Sequence, residues 1–456
     1  GVMWGSVPQF YSDGTRIDLD RSANSAPDWT NWPVTDEQAF VELAASLGNG
    51  WRARGVLTYK NFEESETIVV LSSEDGTPFP DPITGLGMEA YAGDYYSNYE
   101  RLLADFVVSG PVELFGRRHQ FAAGVSWARS DGIQIERDFG WFDYPAYSNS
   151  FRDLDIPIPA FLPPVQQVDL QDTLLRGFAS SQINVSDNLN LVIGVSAMNS
   201  ETEGVSYGED QAREGGAVSP YLGVVYDINE NISLYGSYTD IYSPQEEVDA
   251  ARQKLDPIQG DSVEIGFKSE WFNELLYVTG TWFQTRQSGI AEYAGYNDDP
   301  FYYYYAGVEN TAEGVELEFA GRITDDWRVS GGYTHLFYIE DNSGNETRQY
   351  QPRTTIKIGT SYTIPQLRDL TFGAQVRWQS DIFNDVDALP GVRLEQESYA
   401  TIDLSAGIDL TENVRLQGVL RNATDELYFY SLSYGNDGHA FYAPGRNFLV
   451  SLRYGF

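Results

Sequence analysis

Side chains able to do acid–base, nucleophilic or metal chemistry are few in this sequence. His119, His335 and His439 are the only three histidines in 456 residues. None stands at the spacing of metal ligands, and each reads as structural. His335, near the top of a strand, is the one candidate base for a hydrolase built into a barrel wall, but no Ser is singled out beside it. The chain has no Cys, which removes disulfides, thiol nucleophiles and thiolate metal sites. The acidic pairs Asp298-Asp299 and Glu246-Glu247 lie in loops, where they are solvated or make weak Ca²⁺ contacts. We therefore expect no catalytic residue, no protein metal ligand and no resident cofactor.

The aromatic residues say more. Tyr (31), Phe (24) and Trp (10) make up 14% of the chain. They gather in Phe301-Tyr302-Tyr303-Tyr304-Tyr305, in Trp141-Phe142 with Tyr144 and Tyr147, in Trp29 and Trp32, and in Tyr428-Phe429-Tyr430 with Tyr434. Part of this excess belongs to an aromatic girdle at a membrane interface. Five successive aromatics exceed what a girdle needs, because every second one would face the lumen. Such a mouth suits a bulky chelate bound by ring stacking and phenol hydrogen bonds.

The elements that position these rings are strands. In the last ten residues Phe448, Val450, Leu452, Tyr454 and Phe456 share one face, and Asn447, Ser451, Arg453 and Gly455 the other. The same alternation runs through 400–410, 370–379, 315–320 and 414–421. Charged residues at strand centres (Glu264, Lys268, Glu316, Glu318, Arg353, Lys357, Arg377, Asp403, Arg415 and Arg453) all take the polar parity. An Arg or Lys facing lipid at mid-membrane costs about 2–4 kcal/mol, so this segregation implies lipid on one side and water on the other.

Hydropathy alone hides this architecture. Mean hydropathy is −0.36, and no run approaches the ~20 apolar residues of a membrane helix. The 67 Asp and Glu against 29 Lys and Arg give a net charge of −38, which argues against nucleic acid as a partner. The dispersed acidity reads as a solvated surface, with attraction of a cationic ligand as the sharper alternative.

Short Asn/Asp/Gly turns at 47–50, 186–188, 229–231, 325–326 and 411–413 alternate with longer irregular stretches at 73–88, 138–166, 200–214, 243–258, 289–305, 340–349, 382–396 and 431–442. Short turns at one end and long loops at the other are the asymmetry of an outer-membrane barrel. A β-propeller is disfavoured, since each unit holds two long strands and no Trp-Asp signature repeats. Counting back from Phe456 gives about 17 strands, the earliest at 35–46. The first and last then run the same way, and an odd count cannot close antiparallel throughout.

Several stretches resemble the barrel of TonB-dependent siderophore receptors, the ferripyoverdine and ferric-coprogen branch in particular. They are Trp4-Gly5 with Tyr11-Ser12-Asp13-Gly14; 219–227 followed by 233–239 and Pro244-Gln245; Gly260 with 264–268; 314–318; 378–380; 421–425 with Tyr428; and Pro444-Gly445-Arg446. The resemblance spans nearly the whole chain. It implies an all-β, transmembrane antiparallel β-barrel of the 22-stranded outer-membrane receptor type, with residues 1–456 as its barrel domain. It places Gly1 near the outer end of the fifth strand, so that five strands, a plug domain and a TonB-interacting segment are expected outside this sequence.

The implied function is uptake of a ferric siderophore across the Gram-negative outer membrane, not catalysis. Implied partners are that siderophore, outer-membrane lipid, the barrel-assembly machinery and, through the N-terminal region, the TonB–ExbB–ExbD complex. The alternatives are uptake of oligosaccharide or cobalamin, and a passive pore. The candidate ligand-binding residues are Trp4, Trp29, Trp32, Trp141, Tyr144, Tyr302, Tyr303, Tyr304 and Tyr305. Among them, the resemblance places Trp4 and one of Trp29 or Trp32 in the ligand cavity.

Overall fold

A computed structural model describes residues 6–72, 79–143, 156–298, 301–432 and 437–455. Seventeen long strands follow one another in a single barrel-type sheet. They are β1 (Val34–Gly48), β2 (Trp51–Ser72), β3 (Glu89–Leu114), β4 (Arg117–Asp143), β5 (Val165–Asn184), β6 (Leu189–Ser206), β7 (Arg213–Asn229), β8 (Ile232–Ser243) and β9 (Ile258–Trp271). The second half comprises β10 (Leu276–Asp298), β11 (Phe301–Thr324), β12 (Trp327–Glu340), β13 (Thr354–Ile364), β14 (Leu370–Gln379), β15 (Tyr399–Thr411), β16 (Val414–Arg421) and β17 (Asn447–Tyr454). Each pairs antiparallel with its sequence neighbour.

The curl is that of a closed barrel, yet the described ladders do not join β1 to β17. Both strands run toward the tight-turn end, so antiparallel pairing between them is impossible, and every described residue of each is exposed. Among the described residues the wall therefore has a seam between β1 and β17 that no ladder crosses.

Register fixes which side chains face which medium. Val41 sits opposite Leu57, and Leu43 opposite Gly55, on the face that is apolar at membrane depth. Glu42 and Arg54 lie on the other face and form an ion pair at 2.8 Å. Across β13–β17 the lipid face carries Ile358, Val376, Leu404, Leu420 and Phe448. The lumenal face carries Lys357, the Arg377–Asp403 pair at 3.0 Å, the Arg415–Asp409 pair at 2.6 Å, and Arg453. Arg353 is a correction to the strand assignment. It precedes β13, and its guanidinium binds Glu346 and the carbonyls of Thr347 and Arg348, which ties the outer loop down.

Turns at the short end are as tight as their residues suggest. Asn49 (φ 51°) and Gly50 (φ 83°) both adopt the left-handed conformation that a two-residue hairpin requires. At the other end, several stretches expected to be loops are strand. The hairpins β3–β4 and β10–β11 continue through 138–143 and through most of 289–305, and β6 continues to Ser206. The strands β2 to β5 are 22, 26, 27 and 20 residues long, well beyond the ~9–11 needed to cross a bilayer. Above the membrane neither face meets lipid, so apolar alternation fades while backbone pairing continues.

The segment before β1 lies over the outer end of the seam. Val7 and Pro8 pair with Ala440 and His439, and Asn31 pairs with Thr67 of β2. Val7, Ile17 and Leu19 are buried against Val69, Leu71, Met88, Ala90 and Ala92. Phe10 packs with Phe79, Ile382, Leu394, Phe429 and Leu432 from three loops.

Candidate ligand site at the outer mouth

Above membrane depth, the lumenal parity of β2, β3 and β4 brings aromatic rings and carboxylates into one grid. Glu66 lies opposite Tyr95, and Tyr95 opposite Glu136. One row nearer the membrane, Glu64 lies opposite Ser97 and Ser97 opposite Gln134; below that, Phe62, Tyr99 and Gly132 align. Two glycines give the rings space. A Cβ on Gly93 would sit 2.5 Å from the Tyr95 ring, and one on Gly132 would sit 2.7 Å from the Tyr99 ring, so each tyrosine lies against the strand beside a glycine.

Polar contacts tie the grid together. Tyr95 Oη donates to Tyr91 Oη at 3.4 Å, and Tyr91 Oη donates to Glu136 Oε1 at 3.1 Å. Tyr207, beyond β6, reaches in to donate to Gln134 Oε1 at 3.0 Å. Trp32 Nε1 donates to Glu64 Oε2 at 3.1 Å. Burial, with Glu64 beside it, pushes the Glu66 carboxyl up to about 7. Burial and the neighbouring Glu136 raise the Tyr207 phenol as well.

The expected site residues separate. Trp4 and Tyr144 lie outside the described residues, as do Tyr147, Asp299, Tyr434 and Phe456. Trp141 and Tyr302 are placed by backbone only, opposite Tyr91 and Asn297. Trp32 joins the lumenal grid. Trp29 instead packs against the cluster under the N-terminal segment and donates to the Ile156 carbonyl at 2.8 Å. In β11, alternation puts Tyr304 on the lumenal parity and Tyr303 and Tyr305 on the other. These last two meet Tyr293 edge-on, at centroid distances of 6.0 and 6.3 Å. The run of five is thus shared between the two faces of a hairpin.

Tyr428 stacks on Tyr399 at 4.4 Å, Phe429 on Tyr442 at 4.8 Å, and Tyr430 on Phe441 at 5.4 Å. These rings hold the last long loop together.

The histidines are structural in their contacts. His119 is buried by the tight-turn end, where Nδ1 accepts from Asn184 N at 3.0 Å and Nε2 donates to the Leu114 carbonyl at 3.1 Å. His335 sits on the lipid parity between Tyr333 and Phe337. His439 is buried against Phe79. Of the acidic pairs, Glu246 binds Arg213 at 2.7 Å. Among the described residues no group of three or more His, Asp or Glu could hold a metal ion.

Sequence reasoning missed Glu64, Glu66, Tyr95, Tyr99 and Glu136. The available signal was Tyr91-x-Gly93-x-Tyr95-x-Ser97-x-Tyr99, a run of tyrosines spaced for one face with small residues between them.

Comparisons with known proteins agree with this architecture. The family described as TonB dependent receptor-like, beta-barrel, matches residues 3–423. The ferripyoverdine receptor of Pseudomonas aeruginosa is 30% identical over 100% of this chain and 56% of its own length. A ferric-pyoverdine BN7/BN8 receptor of Pseudomonas putida is 29% identical over 99% of this chain and 55% of its own. The crystal structure of the P. aeruginosa ferripyoverdine receptor bound to ferripyoverdine superposes with a TM-score of 0.86 at 28% identity, covering 99% of this chain and 60% of that one. The chain thus spans little more than half the length of these curated relatives.

Proposed function

The chain belongs to the TonB-dependent receptor-like β-barrel family, and from that premise we propose that it forms most of the wall of an outer-membrane receptor for a ferric siderophore. The observation that carries this reading is the lumenal grid of Trp32, Tyr95 and Tyr99 above a lipid-facing wall. Rings set at the mouth of a wide barrel present stacking surface and phenol hydrogen bonds to an incoming chelate. The siderophore supplies the iron ligands, so the protein needs none of its own. Tyr304, on the lumenal parity, extends the same aromatic mouth, and Trp4, Trp141, Tyr144 and Tyr302 are proposed as further ligand contacts.

Strands of the same polypeptide would fill the seam. The strands on either side of it run in one direction, so an odd number of added strands restores antiparallel closure, and five would bring the wall to 22. Energy coupling through TonB would reside outside this wall.

The test is uptake of ⁵⁵Fe-loaded siderophore by iron-starved cells with and without the gene. Uptake that disappears with the gene, and also with TonB, supports the proposal. Unchanged uptake of every chelate tried would assign the barrel to another cargo.

A further inference from the structure

The grid has a chemical peculiarity that iron chelation leaves unexplained. Glu136 is only 8% exposed, and it faces a tyrosine that has Glu66 on its other side. A buried carboxylate without a counter-charge is costly unless a cation or several donors serve it. Glu136 has one phenol donor. Of the cations around the grid, Arg137 pairs with Asp94, Lys60 with Asp36 and Arg213 with Glu246, while Arg101, below the carboxylates, lies over the Tyr99 ring at 5.6 Å and donates to Ser130 Oγ. Among the described residues no ion pair reaches Glu66 or Glu136.

We propose that Glu66, Tyr95 and Glu136, flanked by Trp32 and Tyr207, form a subsite for a positively charged arm of the ligand, an ammonium or guanidinium group. Two carboxylates either side of a tyrosine, with further aromatic faces around them, combine charge-assisted hydrogen bonding with cation–π attraction. The arm leaves the iron centre free to meet the other rings of the mouth. A neutral or anionic arm would leave Glu136 without a counter-charge and Glu66 holding its proton, whereas a cationic arm pairs with both as carboxylates, so the subsite selects among chelates by charge. This inference rests on the reading of the barrel as a ferric-chelate receptor.

Two synthetic ferric tris-hydroxamates, identical except that one ends in a guanidinium arm and the other in a neutral acetamide, test it in the full-length receptor. Affinities are read by tryptophan quenching, and folding by heat-modifiable gel migration. The wild type should bind the guanidinium chelate about tenfold more tightly, a preference that weakens with salt. The folded double variant Glu66→Gln/Glu136→Gln should bind both alike. Equal wild-type affinities, or a preference that survives in the variant, overturn the subsite. If neither chelate binds, the siderophore reading fails, and L-arginine amide then decides the subsite alone. Quenching by that probe in wild type but not in the variant upholds the cation site; no difference between them removes it.

Discussion

Arg21 and Asp425, 404 residues apart in sequence, are joined at 2.5 Å across the outer end of the seam. The same carboxylate accepts the Arg446 backbone N–H at 2.9 Å. Nearby, the Arg16 guanidinium lies 5.3 Å from the ring centroids of both Phe10 and Phe429. The segment before the first strand is thereby fastened to the loop before the last. Where the sheet lacks a ladder, side chains span the gap.

This clasp predicts a local effect. Asp425→Asn should speed proteolytic cleavage within 6–33 while leaving the membrane-embedded strands intact, as followed by limited proteolysis and mass mapping. Hydrogen bonds from Arg446 and Arg21 hold the Asp425 carboxyl below its usual range. A depressed carboxyl contributes stability above its unfolded value and loses it as pH falls through the folded one. Cleavage in the wild type should therefore accelerate only below pH 3.8, the ordinary aspartate value. Acceleration near neutrality would assign the fastening to other contacts.

Lipid parity predicts a sharper contrast. Leu404→Arg and Val376→Arg each place a guanidinium against hydrocarbon and should cost about 2–4 kcal/mol at mid-membrane. Gln375→Ser changes only the lumenal face and should refold as the wild type does. The measurement is folding yield into bilayers, read as gel mobility without heating; equal yields for all three would reverse the face assignment.

The contrast also shows what a sequence of this kind reveals. Period-2 alternation at membrane depth sets face and register because lipid penalises a charge on one side, as Leu404 and Asp403 illustrate. The strand number, the tight turns and the odd count were legible for that reason. Above the membrane the penalty disappears, so Gly140 and Tyr293 read as loop although both lie in ladders. The grid escaped for a related reason. Glu66, Tyr95 and Glu136 meet only through the pairing of three strands, and nothing in their sequence separation announces it.

Glu66 predicts a pH dependence in the opposite sense from Asp425. Its carboxyl titrates near 7 in the folded protein against 4.5 in the open chain. The folded state therefore holds the proton more tightly, and this contribution to stability is complete below pH 4.5 and lost as pH rises to about 7. The denaturant midpoint of the micelle-bound receptor should fall over that window and level off above it. Glu66→Gln should flatten the fall; an identical slope in the variant would place the titration on another group.

Trp29 and Trp32, three positions apart, predict separate losses. Trp32 donates to Glu64 in the lumenal grid, whereas Trp29 donates to the Ile156 carbonyl beneath the N-terminal segment. Trp32→Ala should weaken ferric-siderophore binding about 5- to 30-fold, the equivalent of about 1–2 kcal/mol for one aromatic contact, with stability nearly unchanged. Trp29→Ala removes packing from the cluster of Val7, Ile17 and Leu19, so it should loosen the segment over the seam and leave affinity close to wild type. Titration of the purified full-length variants with iron-loaded siderophore, beside protease mapping of 6–33, separates the two. If Trp29→Ala lost affinity while Trp32→Ala kept it, the binding face would lie on the outer cluster and the lumenal grid would be a structural feature of the wall.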